Sequence, residues 1–201
     1  MFGWQDVLDF WFGDLDDDGI PDAFHRNRWF RSSRSFDQEI RRRFLSLVVV
    51  ASENGLQTWR ASAGGRLAEL LLLDQFTRNI HRGGALAFAA DSLARRLCHE
   101  GLKEGRDMDL PAVQRAFFYM PLQHSERLAD QELAVDLYHQ LLASHDGPLR
   151  ALLEGFWVSA GEHRDIIRRF GRFPHRNGVL KRSATPEEAE YLGQGGARFG
   201  Q

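Results

Sequence analysis

The feature that most limits this chain is the spacing of its apolar residues. They recur at three and four positions, the period of an amphipathic helix, and no segment alternates convincingly in the manner of a half-buried strand. Trp4, Val7, Leu8, Trp11 and Phe12 form the first stripe, stopped at Gly13. Ser35 to Asn54 predicts a longer helix with Phe36, Ile40, Phe44, Leu47 and Val48 on one side. On its outer face Asp37 and Arg41, and Glu39 and Arg43, stand four apart with the acid first, the stabilising order. Arg66 to Ile80, "RLAELLLLDQFTRNI", predicts a third helix, and Asp91 is placed to cap a fourth running to about Glu104. Asp109 and Pro111 signal another start, with an end or kink near Pro121. Ser125 is read as the cap of the helix through Leu142; Asp146 and Pro148 open the one that Gly171 ends. Thr185-Pro186-Glu187-Glu188 is a capping box with proline at the first helical position. Short loops join roughly seven to nine such helices, so the expectation is all-α, a stack of antiparallel helical hairpins. Residues 1–192 are read as one domain and 193–201 as a flexible tail. No internal repeat of the usual solenoid periods is visible.

Composition excludes several classes of protein. At 201 residues the chain is long enough to bury a real core, and 43% hydrophobic with 27% charged residues excludes disorder. A formal net charge of −2 argues against a dedicated nucleic-acid binder. The single Cys98 excludes an internal disulfide framework and fits a reducing compartment. "MFGWQDVLDFWFG" has no basic region ahead of its apolar residues, and no apolar run reaches membrane-spanning length. A cytoplasmic location without membrane attachment is the expectation.

Function is sought where polar residues interrupt apolar stripes. Leu67, Leu70 and Leu71 lead into Asp74 at helical spacing, and Arg78 follows four residues on; Gln75 and Asn79 repeat the arrangement one step around. A carboxylate beside leucines is desolvated and has to be paired or protonated. His163 likewise interrupts the stripe of Phe156, Ala160, Ile167 and Phe170. "MPLQHSERLADQE" gathers His124, Glu126, Asp130 and Gln131 where one helix ends and another begins. The segment "HRDIIRRFGRFPHRN" needs Gly171 and Pro174 to end its helix, but helix termination asks for none of His175, Arg176 and Asn177. Each feature also has a structural explanation: a core histidine bonded to a neighbour, or a buried ion pair that orders packing.

These residues carry a family resemblance. "VLDFWFG", "RWF", "LLLDQFTRNIHRG", "FFYMPLQHSERLADQE", "HRDIIRRFGRFPHRN" and "SATPEE" occur in the right order across nearly the whole chain. The sequence resembles a bacterial and fungal family known as domain of unknown function 924. That resemblance implies an all-helical, tetratricopeptide-like right-handed array and carries no activity with it. Thr77 departs from the family pattern, which has proline there, and the expected consequence is a straighter or longer helix.

Asp14, Asp16, Asp18, Gly19 and Asp22 follow a calcium-loop pattern, but His25 stands where a bidentate Glu is needed. His124, Glu126, Asp130, His163 and His175 have no zinc or di-metal spacing. Ser125 lacks a nucleophile elbow, and no phosphate- or dinucleotide-binding glycine pattern occurs. Neither a metal nor a cofactor is therefore assigned. The preferred expectation is binding of an anionic small molecule or acidic protein segment. Arg78, Arg82, Arg172 and Arg176 would supply the forks, His163 and His175 further donors, and Gln75 and Asn177 orientation. Asp74, Asn79, His124 and Glu126 complete the candidate site. The alternative is an enzyme using His124, Glu126 and His163, with Asp74, for acid–base chemistry on a small polar substrate. Which applies turns on whether these segments meet.

Overall fold

A computed structural model describes residues 3–199. Among them the chain is all-helical, and its one β feature is an isolated bridge between Leu15 and Pro21. The helices that matter here are α1 (Trp4–Phe12), α2 (Ala23–Trp29), α3 (Arg34–Ser52), α4 (Ala63–Leu71), α5 (Thr77–Ile80), α6 (Asp91–Lys103), α7 (Ala112–Phe118), α8 (Met120–Gln123), α9 (Leu128–Ala143), α10 (Gly147–Phe170) and α11 (Pro186–Gly193).

The local signals act much as their chemistry demands. Ser33 caps α3 and Ser62 caps α4, each accepting a backbone N–H from the first turn. Gly171 ends α10 in the left-handed conformation at φ 69°, and the Thr185 capping box opens α11. The chain breaks between α7 and α8 around Tyr119, just ahead of Pro121. Two expected caps take other roles. Asp91 is the first helical residue of α6 rather than its cap, which leaves its carboxylate for other work. Arg127, not Ser125, precedes α9, and the Ser125 hydroxyl donates instead to Asp130 Oδ2 at 2.6 Å. Asp16 and Asp22, two members of the acidic loop, accept backbone N–H groups of their own turn and of α2.

The third predicted helix contains the main surprise. Helical residues run from Ala63 to Ile80, but Leu72–Phe76 forms a π-helical turn between α4 and α5. Thr77 follows directly, and its hydroxyl donates to the carbonyls of Leu73 (2.7 Å) and Asp74 (3.2 Å). The hydroxyl thus supplies hydrogen bonds where the wide turn disturbs the backbone ladder. The residue thought to straighten the helix adjoins its one irregular turn.

The main core joins the aromatic residues of α1, Phe36 and Phe44 of α3, the leucines of α4 and the π turn, Phe117 and Phe118 of α7, and the inner faces of α9 and α10. A smaller cluster forms around Ile166, Ile167 and Phe173, where the far end of α10 meets the segments on either side of α11. Asp74, Gln75, Arg78 and Asn79 are all buried, so the π turn and α5 together carry a polar row through the protein interior. The site is built on that row.

Candidate functional site

Asp74 is 2% exposed, and its carboxylate meets three polar side chains. His124 Nδ1 lies 2.8 and 2.9 Å from its two carboxylate oxygens, Arg78 Nη1 lies 3.1 Å from Oδ1, and Gln75 Nε2 donates to Oδ2 at 2.6 Å. Burial alone would raise this carboxyl's pKa, but Arg78 and then His124 outweigh it and hold Asp74 below the usual range. An ionised Asp74 can only accept, so Nδ1 of His124 carries the proton and Nε2 holds a lone pair. Burial and Arg78 lower the His124 pKa, against the pull of Asp74, so the imidazole is neutral. Nε2 has no hydrogen-bond partner among the described residues, and the ring lines a cavity.

That cavity has a volume of about 460 Å³. Gln75, Arg78, Asn79 and Arg82 enter it from one side, His124 and Gln123 from the end of α8, and Ser159 and His163 from α10. Trp29, Phe30, Met120, Leu152 and Phe156 supply apolar wall. His163 donates its Nδ1–H to the Ser159 carbonyl at 2.7 Å. Burial, with His124 nearby, pushes its pKa down to about 3, so it too is a neutral ring. The two imidazoles stand 5.9 Å apart, centroid to centroid.

Of the sequence candidates, Gln75, Arg78, Asn79, Arg82, His124 and His163 line this one cavity, with Asp74 directly behind His124. His124 also borders a second cavity of about 420 Å³, where Glu126 and Arg176 lie. Arg172, His175 and Asn177 line neither cavity. Arg172 forms a bidentate pair with Glu188 at 2.6 and 2.8 Å, and Asn177 donates to the same carboxylate at 3.2 Å. These contacts tie the segment after α10 to the start of α11. The His175 ring packs 5.6 Å from Phe173, and its pKa is pushed down to about 3 by burial and by Arg176. Glu126 is pinned by Arg182 at 2.7 and 3.0 Å and accepts the backbone N–H of Phe173 at 2.8 Å.

Charge accounting changes the role of the arginines. Arg82 meets Asp37 through two bonds of 2.7 and 2.9 Å, and Asn79 donates to the same carboxylate at 2.8 Å. Arg78 reaches Asp91 at 3.0 Å, and Arg176 reaches the same oxygen at 3.5 Å. Arg78, Arg82, Arg172 and Arg176 each have an internal carboxylate, so none is an uncommitted fork. Sequence reasoning missed Asp37 and Asp91 as these partners, having read one as a surface helix pair and the other as a cap. It also missed Arg31, an exposed residue on the cavity rim with no carboxylate within 4 Å among the described residues. No group of three or more His, Cys, Asp or Glu residues is placed to hold a metal ion among the described residues. None of the described helices is long and apolar enough to cross a membrane.

Among the described residues the molecule is thus an all-helical protein with a buried aspartate–histidine pair on the wall of a partly open cavity lined by both polar and aromatic side chains. The chain belongs to the family described as "Bacterial protein of unknown function (DUF924)", whose model matches residues 7–196. It is similar to a solved structure of a protein of unknown function, ATU0120, from Agrobacterium tumefaciens, with 39% sequence identity and a TM-score of 0.80. That similarity covers 95% of this chain and 97% of the other. No curated protein matches the chain at a significant level.

Proposed function

We propose that this protein binds a small molecule with an apolar body and an anionic head in the 460 Å³ cavity. The observation that carries the reading is convergence: polar residues from three distant segments, around Asp74, His124 and His163, surround one space walled by aromatic side chains. The volume suits a single small ligand. Because Arg78 and Arg82 are already neutralised, the head is placed at the rim, toward Arg31, while the apolar body enters among Trp29, Met120 and Phe156. Thermal-shift screening of small carboxylates and phosphates tests this, with Trp29 fluorescence as a second readout. Ligands that stabilise the protein should lose at least half of that shift in Arg31→Ala. Shifts unchanged by Arg31→Ala and by His124→Ala would sink the assignment.

A second reading is favoured by one specific observation, the Asp74–His124 geometry. A neutral imidazole whose Nδ1–H is held by a buried carboxylate presents Nε2 as a general base. On this reading the ligand is a substrate and loses a proton to His124. Turnover of any bound acid should vanish in His124→Gln and fall in Asp74→Asn, and turnover that persists in His124→Gln refutes it.

The same inference extends to architecture and location. The short connection and extensive packing of α9 on α10 support antiparallel hairpins, and the family resemblance supports their right-handed, tetratricopeptide-like stacking. The single buried, unpaired Cys98 supports a reducing, cytoplasmic setting.

A further inference from the structure

One aromatic ring of the cavity lining comes from beyond the last helix. Beyond α11 the chain turns at Gly195 (φ 85°), and the N–H of Ala197 donates to Tyr191 Oη at 3.0 Å. This brings Phe199 back onto α10. Its ring stacks on His163 with centroids 3.6 Å apart and planes inclined at 22°. The same ring meets His175 at 5.6 Å and Phe173 at 6.3 Å, both near edge-on. Phe199 is one of the residues that line the 460 Å³ cavity.

Three features set this ring apart from the rest of the cavity wall. It comes from a short irregular segment that follows the last helix, and with Ala197 it packs on the Ile166, Ile167 and Phe173 cluster from outside any helix. Its backbone has φ of 49°, in the left-handed region that residues other than glycine seldom adopt, so ring contacts rather than backbone preference hold it there. It is also only partly buried, whereas Phe173 beneath it is 0% exposed. The surface it covers is suited to a planar apolar group. The Nδ1–H of His163 is already spent on Ser159, and the neutral ring offers a flat face with little desolvation cost.

We propose that the face of His163 is a subsite for the aromatic ring of a small-molecule ligand, filled in cis by Phe199 until such a ring displaces it. The proposal rests on the reading of the cavity as a small-molecule site and narrows its ligand to aryl-bearing acids, with the ring at His163 and the acid toward the rim. A tethered competitor reduces apparent affinity by the fraction of time the subsite stands open. Removing the Phe199 side chain therefore raises affinity for an aryl acid without adding a contact.

The test is calorimetric titration of phenylacetate and octanoate into wild type, Phe199→Ala and Phe199→Leu, with the His163 ring signals followed by NMR. Phenylacetate should bind Phe199→Ala about tenfold more tightly than wild type, with the leucine variant between them. The His163 signals should move on binding. Each variant should melt within a few degrees of wild type, which separates lost competition from lost fold. Octanoate bound by all three proteins, together with phenylacetate affinity that is indifferent to Phe199, would overturn the subsite and leave the cavity reading standing. Neither acid bound by any of the three proteins would overturn both.

Discussion

His124 donates Nδ1–H to both carboxylate oxygens of Asp74, at 2.8 and 2.9 Å, across 50 residues of sequence. The bond joins the π turn to the end of α8 and at the same time decides which imidazole nitrogen faces the cavity. Asp74→Asn keeps the size but removes the charge that answers Arg78 and selects the tautomer. Removing one member of a buried ion pair costs about 3–5 kcal/mol, and the remaining contacts of Arg78 with Asp91 place this variant near the lower figure. Urea denaturation measures the loss. NMR of the imidazole nitrogens should show Nε2–H gaining population, and an unchanged tautomer would refute Asp74 as its determinant.

Stability should fall on mild acidification because of His163. Its folded pKa is lowered to about 3, chiefly by burial, whereas an unfolded histidine titrates near ~6.5. Below that unfolded value the unfolded chain takes up the proton and the folded chain does not, so stability declines as pH falls toward 3. One histidine of this kind accounts for about 2 kcal/mol between pH 6.5 and pH 5. His175, also lowered to about 3, acts in the same direction. Asp74 adds a later loss below about pH 4, since its folded pKa lies under its unfolded one. Urea midpoints measured across this range should drop in wild type and drop less steeply in His163→Gln.

Arg172 separates structural from ligand-binding arginines. It holds Glu188, whose pKa the Arg172 bonds lower to about 2, and it lines neither cavity. Arg172→Ala should lower the melting temperature and leave the shift produced by any cavity ligand intact. A ligand shift abolished in Arg172→Ala would return this residue to the site.

Much of this architecture was legible because amphipathic stripes depend only on local spacing. The α10 stripe is the clearest case: Phe156, Ala160, His163 and Ile167 are all buried, and the one polar member is a cavity residue. The same logic found Asp74. Long-range pairing was not legible. Asp37 meets Arg82 across 45 residues and Asp91 meets Arg176 across 85, and nothing in the local spacing of either aspartate distinguishes it from a surface acid or a cap. The arginines therefore looked available when they were not. The π turn was hidden for a different reason: five residues at a wider pitch barely disturb a stripe as apolar as "LLLL". The aromatic walls from Trp29 and Phe30 were unreadable because the helix that carries them is short and its approach to α10 is set by tertiary packing.

Two glycines give predictions of opposite sign. Gly65 stands in the first turn of α4, and its N–H is the one capped by Ser62 at 3.0 Å. A Cβ there would collide with the backbone carbonyl oxygen of Trp59 and approach Ser62 Oγ to 2.9 Å. A backbone atom cannot swing aside as a side chain can, so Gly65→Ala has to push the 3-10 turn Gln57–Ala61 away from α4 and loosen the cap. Overpacking of this kind costs about 1–3 kcal/mol, and a weakened cap about 1 more. Gly161 lies inside α10 with nothing within 4 Å of the position its Cβ would take and a negative φ. There alanine only reduces the entropy of the unfolded chain, so Gly161→Ala should stabilise the protein by about 0.5–1 kcal/mol. Chemical denaturation of both variants tests the α4 junction directly. Equal and small effects would mean that the Trp59 carbonyl yields freely, and that the close approach of the two segments does not help to position the helix that leads into the Asp74 turn.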